Sequence, residues 1–127
     1  MATRSINAEN APQSAGGYSQ AIEVSETTRR LYISGQIPVT AAGDAPDSFA
    51  DQAAVVWANI EAQLKAAEMT LDNLVKATIF LSDRQYTMDN RAARQLALGD
   101  RKVALTVIIA GIFDENWLLE IEAIAEA

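Results

Sequence analysis

The stretch RKVALTVIIAGIFDENWLLEIEAIA, residues 101–125, decides the fold predicted for this chain. It holds two apolar runs, Val103–Phe113 and Trp117–Ala125, separated by the polar residues 114–116. Each run is shorter than the roughly 20 apolar residues that cross a bilayer, and both are rich in Ile, Val and Leu. The stretch therefore predicts two buried strands joined by a polar turn, with the sheet centred on them.

The second run places two carboxylates on one face of the predicted strand. Because strand side chains alternate with period two, Leu118, Glu120, Glu122 and Ile124 share one face, while the other face is apolar. An unpaired charge on so apolar a strand is costly unless it reaches water, a partner or a cleft. The pattern is typical of a strand with one wet face, and it is also compatible with a functional cleft built around these carboxylates.

Length and charge limit the class of protein. The chain has 127 residues and a formal net charge of −7. This length predicts one domain, residues 1–127, with room for a hydrophobic core. The acidic surface repels phosphate backbones, and the ten basic residues form no basic patch. Nucleic acid is therefore not expected as a partner.

The chain contains neither cysteine nor histidine. Their absence excludes disulfides, thiol nucleophiles, Ser-His arrangements and the usual zinc sites, so no metal is expected. Any chemistry has to use carboxylates, hydroxyls, backbone groups, Lys or Arg. The start of the chain has no signal-like apolar segment, and no run is long enough to span a bilayer. The sequence thus predicts a soluble, cytoplasmic protein without a membrane partner.

The remaining elements predict an α+β fold. Four further strands are expected: Thr3–Ile6, Tyr18–Glu23, Arg30–Ser34 and Val75–Leu81. Two helices are expected: about Phe49–Ala67 and about Thr87–Leu98. The second and third strands are predicted to form a hairpin. Both helices would cover one face of a single sheet, and the other face would be wet or closed by another subunit.

Three details concern the first helix. Ser48 and Asp51 resemble an N-terminal capping pair. Trp57 lies on the apolar stripe of the helix and is expected in the core. Asn59 and Gln63 share a face one turn apart, which is typical of a solvated surface.

Four segments carry a resemblance to a known family. They are GGYSQA at Gly16–Ala21, ISGQIP at Ile33–Pro38, LVKATIFLSD at Leu74–Asp83 and LEIEAIA at Leu119–Ala125. In this order they resemble the Rid family of reactive-intermediate deaminases, also called the endoribonuclease L-PSP family. The resemblance implies a chorismate-mutase-like α+β subunit with a mixed sheet. It also implies a homotrimer whose sheets surround a central barrel and leave three clefts between subunits.

The same resemblance implies an activity and a set of site residues. Family members hydrolyse the imine or enamine of a small 2-amino acid to a 2-keto acid and ammonia, without a cofactor. Carried over position by position, the glutamate that positions water is Glu120, and the tyrosine of the cleft is Tyr18. The implied substrate-binding positions are Ser34, Gly35, Leu105, Thr106 and, if the alignment is offset by one residue, Asn90.

One position departs from the family pattern. The arginine that grips the substrate carboxylate lies in a segment similar to K-P-A-R-S, which aligns onto Lys102–Thr106 and places Leu105 at the arginine position. Loss of a bidentate, charge-assisted contact at a desolvated site costs roughly 2 to 5 kcal/mol. Either Arg101 or Lys102 substitutes for the cation, or the cleft takes an uncharged or cationic imine.

Three functions from different classes remain open for this chain. The first is a deaminase with a non-standard substrate. The second is a small-molecule-binding or holdase-like trimer that kept the fold without the chemistry, which Leu105 favours. The third is an endoribonuclease, and it is the weakest because the chain lacks histidine and carries a strong negative charge.

Overall fold

The structure is a computed structural model that describes residues 1–127. It contains two α-helices, α1 (Phe49–Ala66) and α2 (Thr87–Leu98), and two short 3₁₀ helices at Leu71–Asn73 and Arg84–Tyr86. The six strands are β1 (Ala2–Ile6), β2 (Ala21–Ser25), β3 (Arg30–Gln36), β4 (Leu74–Leu81), β5 (Ala104–Ile109) and β6 (Leu119–Glu126). No helix is both long enough and apolar enough to cross a membrane.

Strands β3 to β6 form one mixed sheet in the order β3-β6-β4-β5. Strand β6 is antiparallel to both of its neighbours, and β5 runs parallel to β4. The helices pack on one face, so the predicted α+β architecture is confirmed. The predicted alternation along β6 is also confirmed, because Leu119, Ile121, Ala123 and Ala125 are buried in the core. Glu120 and Glu122 lie on the opposite, open face.

The prediction that the two apolar runs form a C-terminal hairpin is wrong. Strand β5 pairs with β4 in parallel, with Ala77 opposite Leu105, and β6 lies on the other side of β4. Parallel neighbours need a crossover connection, and α2 provides it between β4 and β5. Strand β5 ends at Ile109 and forms the edge of the sheet, so the exposed fractions of Val107, Ile108 and Ile109 are 40%, 42% and 37%. This run is therefore not the buried strand expected from its composition.

The N-terminal hairpin is also different from the prediction. Strand β2 begins at Ala21, not Tyr18, and pairs with β1 in a separate two-stranded sheet. Strand β3 pairs with β6 instead, with Ile33 opposite Ala123. The difference follows from burial, because Ile33 joins the core whereas β1 and β2 expose most of their side chains. A strand with an apolar face gains more from the main sheet than from an exposed hairpin.

The first helix begins as predicted. The Ser48 side chain accepts a hydrogen bond from the Asp51 backbone N–H at 3.1 Å. Trp57 is 5% exposed and belongs to the core cluster, which confirms its assignment. The solvated role expected of Asn59 is wrong, because its Nδ2 donates to two backbone carbonyls of the long loop after β3, at 2.9 and 3.0 Å. Helix α1 therefore holds this loop in place.

Gln52 joins α1 to the loop before α1 and to the loop before β6. Its Nε2 donates to the carbonyls of Pro46 and Asn116, at 2.9 and 3.0 Å, and its Oε1 accepts from the Leu118 N–H at 2.8 Å. The side chain is 2% exposed, so these backbone groups have little access to water. Gln52 therefore fixes the segment directly before β6.

We expect Gln52→Leu to lower the free energy of unfolding by about 2–4 kcal/mol, because it leaves several buried backbone groups without hydrogen bonds. Urea denaturation followed by circular dichroism measures this change. Gln63→Leu is the matched control, since Gln63 is exposed on the same helix and should change stability by less than about 0.5 kcal/mol. Equal stability of the two variants would contradict the role of Gln52.

Candidate functional site

The predicted site residues lie on two sides of the sheet. Leu105 faces the helices, next to Ala77 of the core, whereas Thr106 faces the open side. Tyr18 and Asn90 join Leu105 on the helix side. The others, Glu120, Gly35, Ser34 and Thr106, lie on or at the margin of the open face.

On the helix side, Tyr18, Asn90 and Leu105 line one cleft of about 300 Å³. The segment before β2 reaches the cleft because Ser19 donates its backbone N–H to the Val103 carbonyl at 3.0 Å. Helix α2 forms the second wall and β5 the third. The structure thus brings together three residues that are distant in the sequence, and it places Asn90 inside the cleft.

Asn90 is a buried polar residue with an unsatisfied atom. It is 4% exposed, and its Oδ1 has no hydrogen-bond partner in the chain. Leaving such a group unpaired costs about 1–3 kcal/mol. A group that binds in the cleft and pairs with the amide would remove this cost.

Two arginines that the sequence pattern does not indicate, Arg91 and Arg94, also line this cleft. Arg94 is 6% exposed, and burial lowers the pKa of its guanidinium from the usual value, with the charge of Arg91 lowering it further. Arg91 lies against Gly16, where an added Cβ would come within 2.9 Å of its Nε. Gly16 has a φ of +90°, which also favours glycine. The spacing of Asn90 and Arg94, one turn apart on α2, was the available sequence signal.

Neither of the basic residues considered as a substitute cation lines this cleft. Arg101 forms an ion pair with Asp72, with Nε and Oδ1 2.7 Å apart, and donates to the Leu98 carbonyl at 3.2 Å. Arg101 and Lys102 border a separate polar pocket on the other side of Arg94. The cations nearest to Leu105 within the cleft therefore come from α2.

On the open face, Glu120 lies directly against Gly35. A Cβ at Gly35 would meet Oε2 and come within 2.8 Å of Cδ of the glutamate. The pairing of β3 with β6 shifts register between Ile33 and Gln36, which is the irregularity that contains Gly35. The Glu120 carboxylate is partly buried and accepts no hydrogen bond within the chain. It is thus available to a water molecule or a ligand.

The other two predicted residues share the open face with Lys76. Thr106 accepts a hydrogen bond from Lys76 Nζ at 2.7 Å. Ser34 borders a hollow of about 390 Å³ that Lys76 and Glu122 also line. Burial lowers the pKa of Lys76, and the negative charge of Glu122 partly offsets the effect. No group of three or more acidic side chains comes together as a metal site.

Comparison with known proteins places this geometry in a family. A sequence model described as "Endoribonuclease L-PSP" matches residues 8–127. A RutC family protein of Pyrococcus horikoshii is 34% identical over 122 residues, which are 94% of each chain. The crystal structure of YyfB from Yersinia pestis, described as a Rid family protein of unknown function, covers 100% of both chains with a TM-score of 0.87 and 26% identity.

A further solved structure, E. coli TdcF with bound serine, covers 98% of both chains with a TM-score of 0.74 and 25% identity. The family model spans almost the entire chain, and the Pyrococcus relative exceeds 30% identity over nearly the full length of both proteins. The chain therefore belongs to the endoribonuclease L-PSP family, which is the Rid family.

Proposed function

We propose that this protein is a cofactor-free imine or enamine deaminase that acts as a homotrimer of chorismate-mutase-like subunits. The observation that carries the proposal is the partly buried Glu120 carboxylate, which has no partner in the chain and lies where Gly35 leaves space for it. A carboxylate in this state can bind a water molecule and take a proton from it. The serine bound to the relative TdcF supports a small amino-acid-like ligand.

The proposed reaction needs only water and the side chains described above. Water adds to the imine carbon, and Glu120 takes one of its protons. This proton passes to the nitrogen and gives a carbinolamine. Glu120 then takes the hydroxyl proton of the carbinolamine and delivers it to the same nitrogen, the C–N bond breaks, and ammonia leaves as the carbon becomes a carbonyl. Tyr18 and Asn90 orient the substrate in the cleft, and Ser34, Gly35 and Thr106 shape the side of the site that carries Glu120.

The positions of the proposed site residues on two sides of the sheet support a trimer. Within one chain, Glu120 and the cleft of Tyr18 lie on different sides of the sheet. A neighbouring subunit that packs its open face against the β5 edge would join the two halves. The edge offers apolar surface for this contact, because Val107 and Ile108 are exposed.

A coupled assay tests the deaminase function. An amino-acid dehydratase generates 2-iminobutanoate, and semicarbazide competes with the protein for it. The proposal expects faster formation of 2-oxobutanoate and less semicarbazone when the protein is present. An unchanged ratio at high protein concentration would contradict this activity and favour the second candidate, a non-catalytic small-molecule-binding trimer, which the apolar Leu105 supports.

We expect Ile108→Glu to convert the trimer to monomers, because it places a charge in the proposed apolar interface. Analytical ultracentrifugation would then find a mass of 13.7 kDa for the variant and three times this mass for the unmodified protein. Leu96→Glu is the control, since Leu96 is 89% exposed on α2, away from the β5 edge. A trimer that survives Ile108→Glu, or an unmodified protein that sediments as a monomer, would contradict the assembly.

A further inference from the structure

Arg94 is a buried cation without a counter-ion. The three ion pairs of the chain involve other arginines: Arg4–Glu23, Arg30–Glu126 and Arg101–Asp72. Within the chain, Arg94 donates one hydrogen bond, from a terminal guanidinium nitrogen to the Gly16 carbonyl. A guanidinium has five N–H donors, so most of its capacity remains available. A buried, uncompensated charge is costly, and a bound anion would compensate it.

Arg91 adds a second positive charge beside the first. Its side chain makes no ion pair within the chain, and its positive charge disfavours the charged form of Arg94. Two neighbouring guanidinium groups repel each other, and an anion bound between or beside them would offset this repulsion. Their presence in a chain with a net charge of −7 is informative, because seventeen acidic residues were available and none pairs with either arginine.

Asn90 provides an independent indication of a ligand. It lies one turn from Arg94 on the same face of α2, and its amide has an unpartnered buried oxygen. The amide can present either its oxygen or its nitrogen to the cleft by rotation about its last side-chain bond. It therefore suits a polar group attached next to the anionic group of a ligand.

The shape of the cleft limits the ligand to a small molecule. Its volume of about 300 Å³ is at the lower end of small-molecule sites. Leu105 and Val107 form an apolar wall opposite the charged helix, and the Tyr18 ring closes the third side. A ligand with one carboxylate, an adjacent polar group and a short aliphatic chain would place its charged end on the helix and its aliphatic chain against the apolar wall.

From these contacts we infer that Arg91 and Arg94 form the carboxylate-binding subsite of the cleft, with the Asn90 amide pairing with the adjacent imine, amine or carbonyl group of the ligand. The cation thus comes from α2, and Leu105 packs against the aliphatic part of the ligand. This assignment deepens the proposed function, on which the choice of ligand rests.

Binding to the intact protein tests the inference without requiring turnover. The probe is 2-oxobutanoate, and 2-butanone has the same carbon chain without the carboxylate. Isothermal titration should detect binding of 2-oxobutanoate only. Arg94→Gln removes the charge but keeps a polar N–H group, and Arg91→Gln removes a side chain that makes no ion pair. Each should weaken binding by about tenfold or more.

Two further variants complete the design. Arg4→Gln removes the same charge at an exposed position of β1 and should bind as the unmodified protein does. Leu105→Arg, added to Arg94→Gln, should restore binding by supplying a guanidinium from β5. Binding that is unaffected by both Arg91→Gln and Arg94→Gln, equal binding of 2-butanone, or no binding of 2-oxobutanoate would overturn the inference.

The two proposals fail in different ways. Arginine-dependent binding without imine turnover would refute the deaminase and leave the subsite intact. Turnover whose KM is the same in Arg91→Gln and the unmodified protein would refute the subsite and leave the deaminase intact. If Arg94→Gln does not fold, as circular dichroism would reveal, Arg91→Gln decides the question alone.

Discussion

Replacing Glu120 by alanine is expected to lower imine turnover by at least about a hundredfold, because positioned proton transfer contributes this much or more to such reactions. The carboxylate has no hydrogen-bond partner within the chain, so its loss leaves no internal group unpaired. The variant should therefore fold and assemble normally. The coupled 2-iminobutanoate assay measures the loss, and sedimentation checks the assembly.

Glu115→Ala is the control for this change. Glu115 is an exposed carboxylate in the loop before β6, so the substitution removes the same charge away from the site. Its turnover should equal that of the unmodified protein. If Glu120→Ala and Glu115→Ala were equally active, Glu120 would not be the residue that activates water.

Gly35→Ala is expected to displace the Glu120 carboxylate and so lower turnover by more than about tenfold, since misplacement of a reacting group by about 1 Å is enough for a large loss. The new methyl group would clash with Oε2 and lie 2.8 Å from Cδ, in both cases far closer than van der Waals contact. Overpacking of this kind also destabilises the fold by about 1–3 kcal/mol. Denaturation and the turnover assay measure the two effects.

The pair of positions allows a sharper test. In the Glu120→Ala background the clash is absent, so Gly35→Ala should lose most of its effect on stability and have no further effect on turnover. Gly111→Ala is the matched control, because a Cβ there meets no atom within 4 Å. Additive stability effects in the double variant would show that Gly35 does not act through Glu120.

The site divides into a part that the sequence predicted and a part that it did not. The motifs ISGQIP and LEIEAIA, through their resemblance to the family, indicate Gly35 and Glu120, and the space that glycine leaves explains the contact between them. The sequence does not indicate Arg94, because an arginine on a predicted amphipathic helix is ordinarily a solvated charge. Its burial and its lack of a carboxylate partner depend on how the Gly16 loop packs against α2.

Local sequence patterns are sufficient to predict the α+β class, the bounds of both helices to within a residue, and the two faces of β6. These features are local, because capping and side-chain periodicity depend on residues within one or two turns. The pairing of the strands, in contrast, depends on contacts between distant parts of the chain. A crossover through α2 and a hairpin at residues 110–118 are both compatible with the same local pattern, and burial of the whole sheet against the helices selects the crossover.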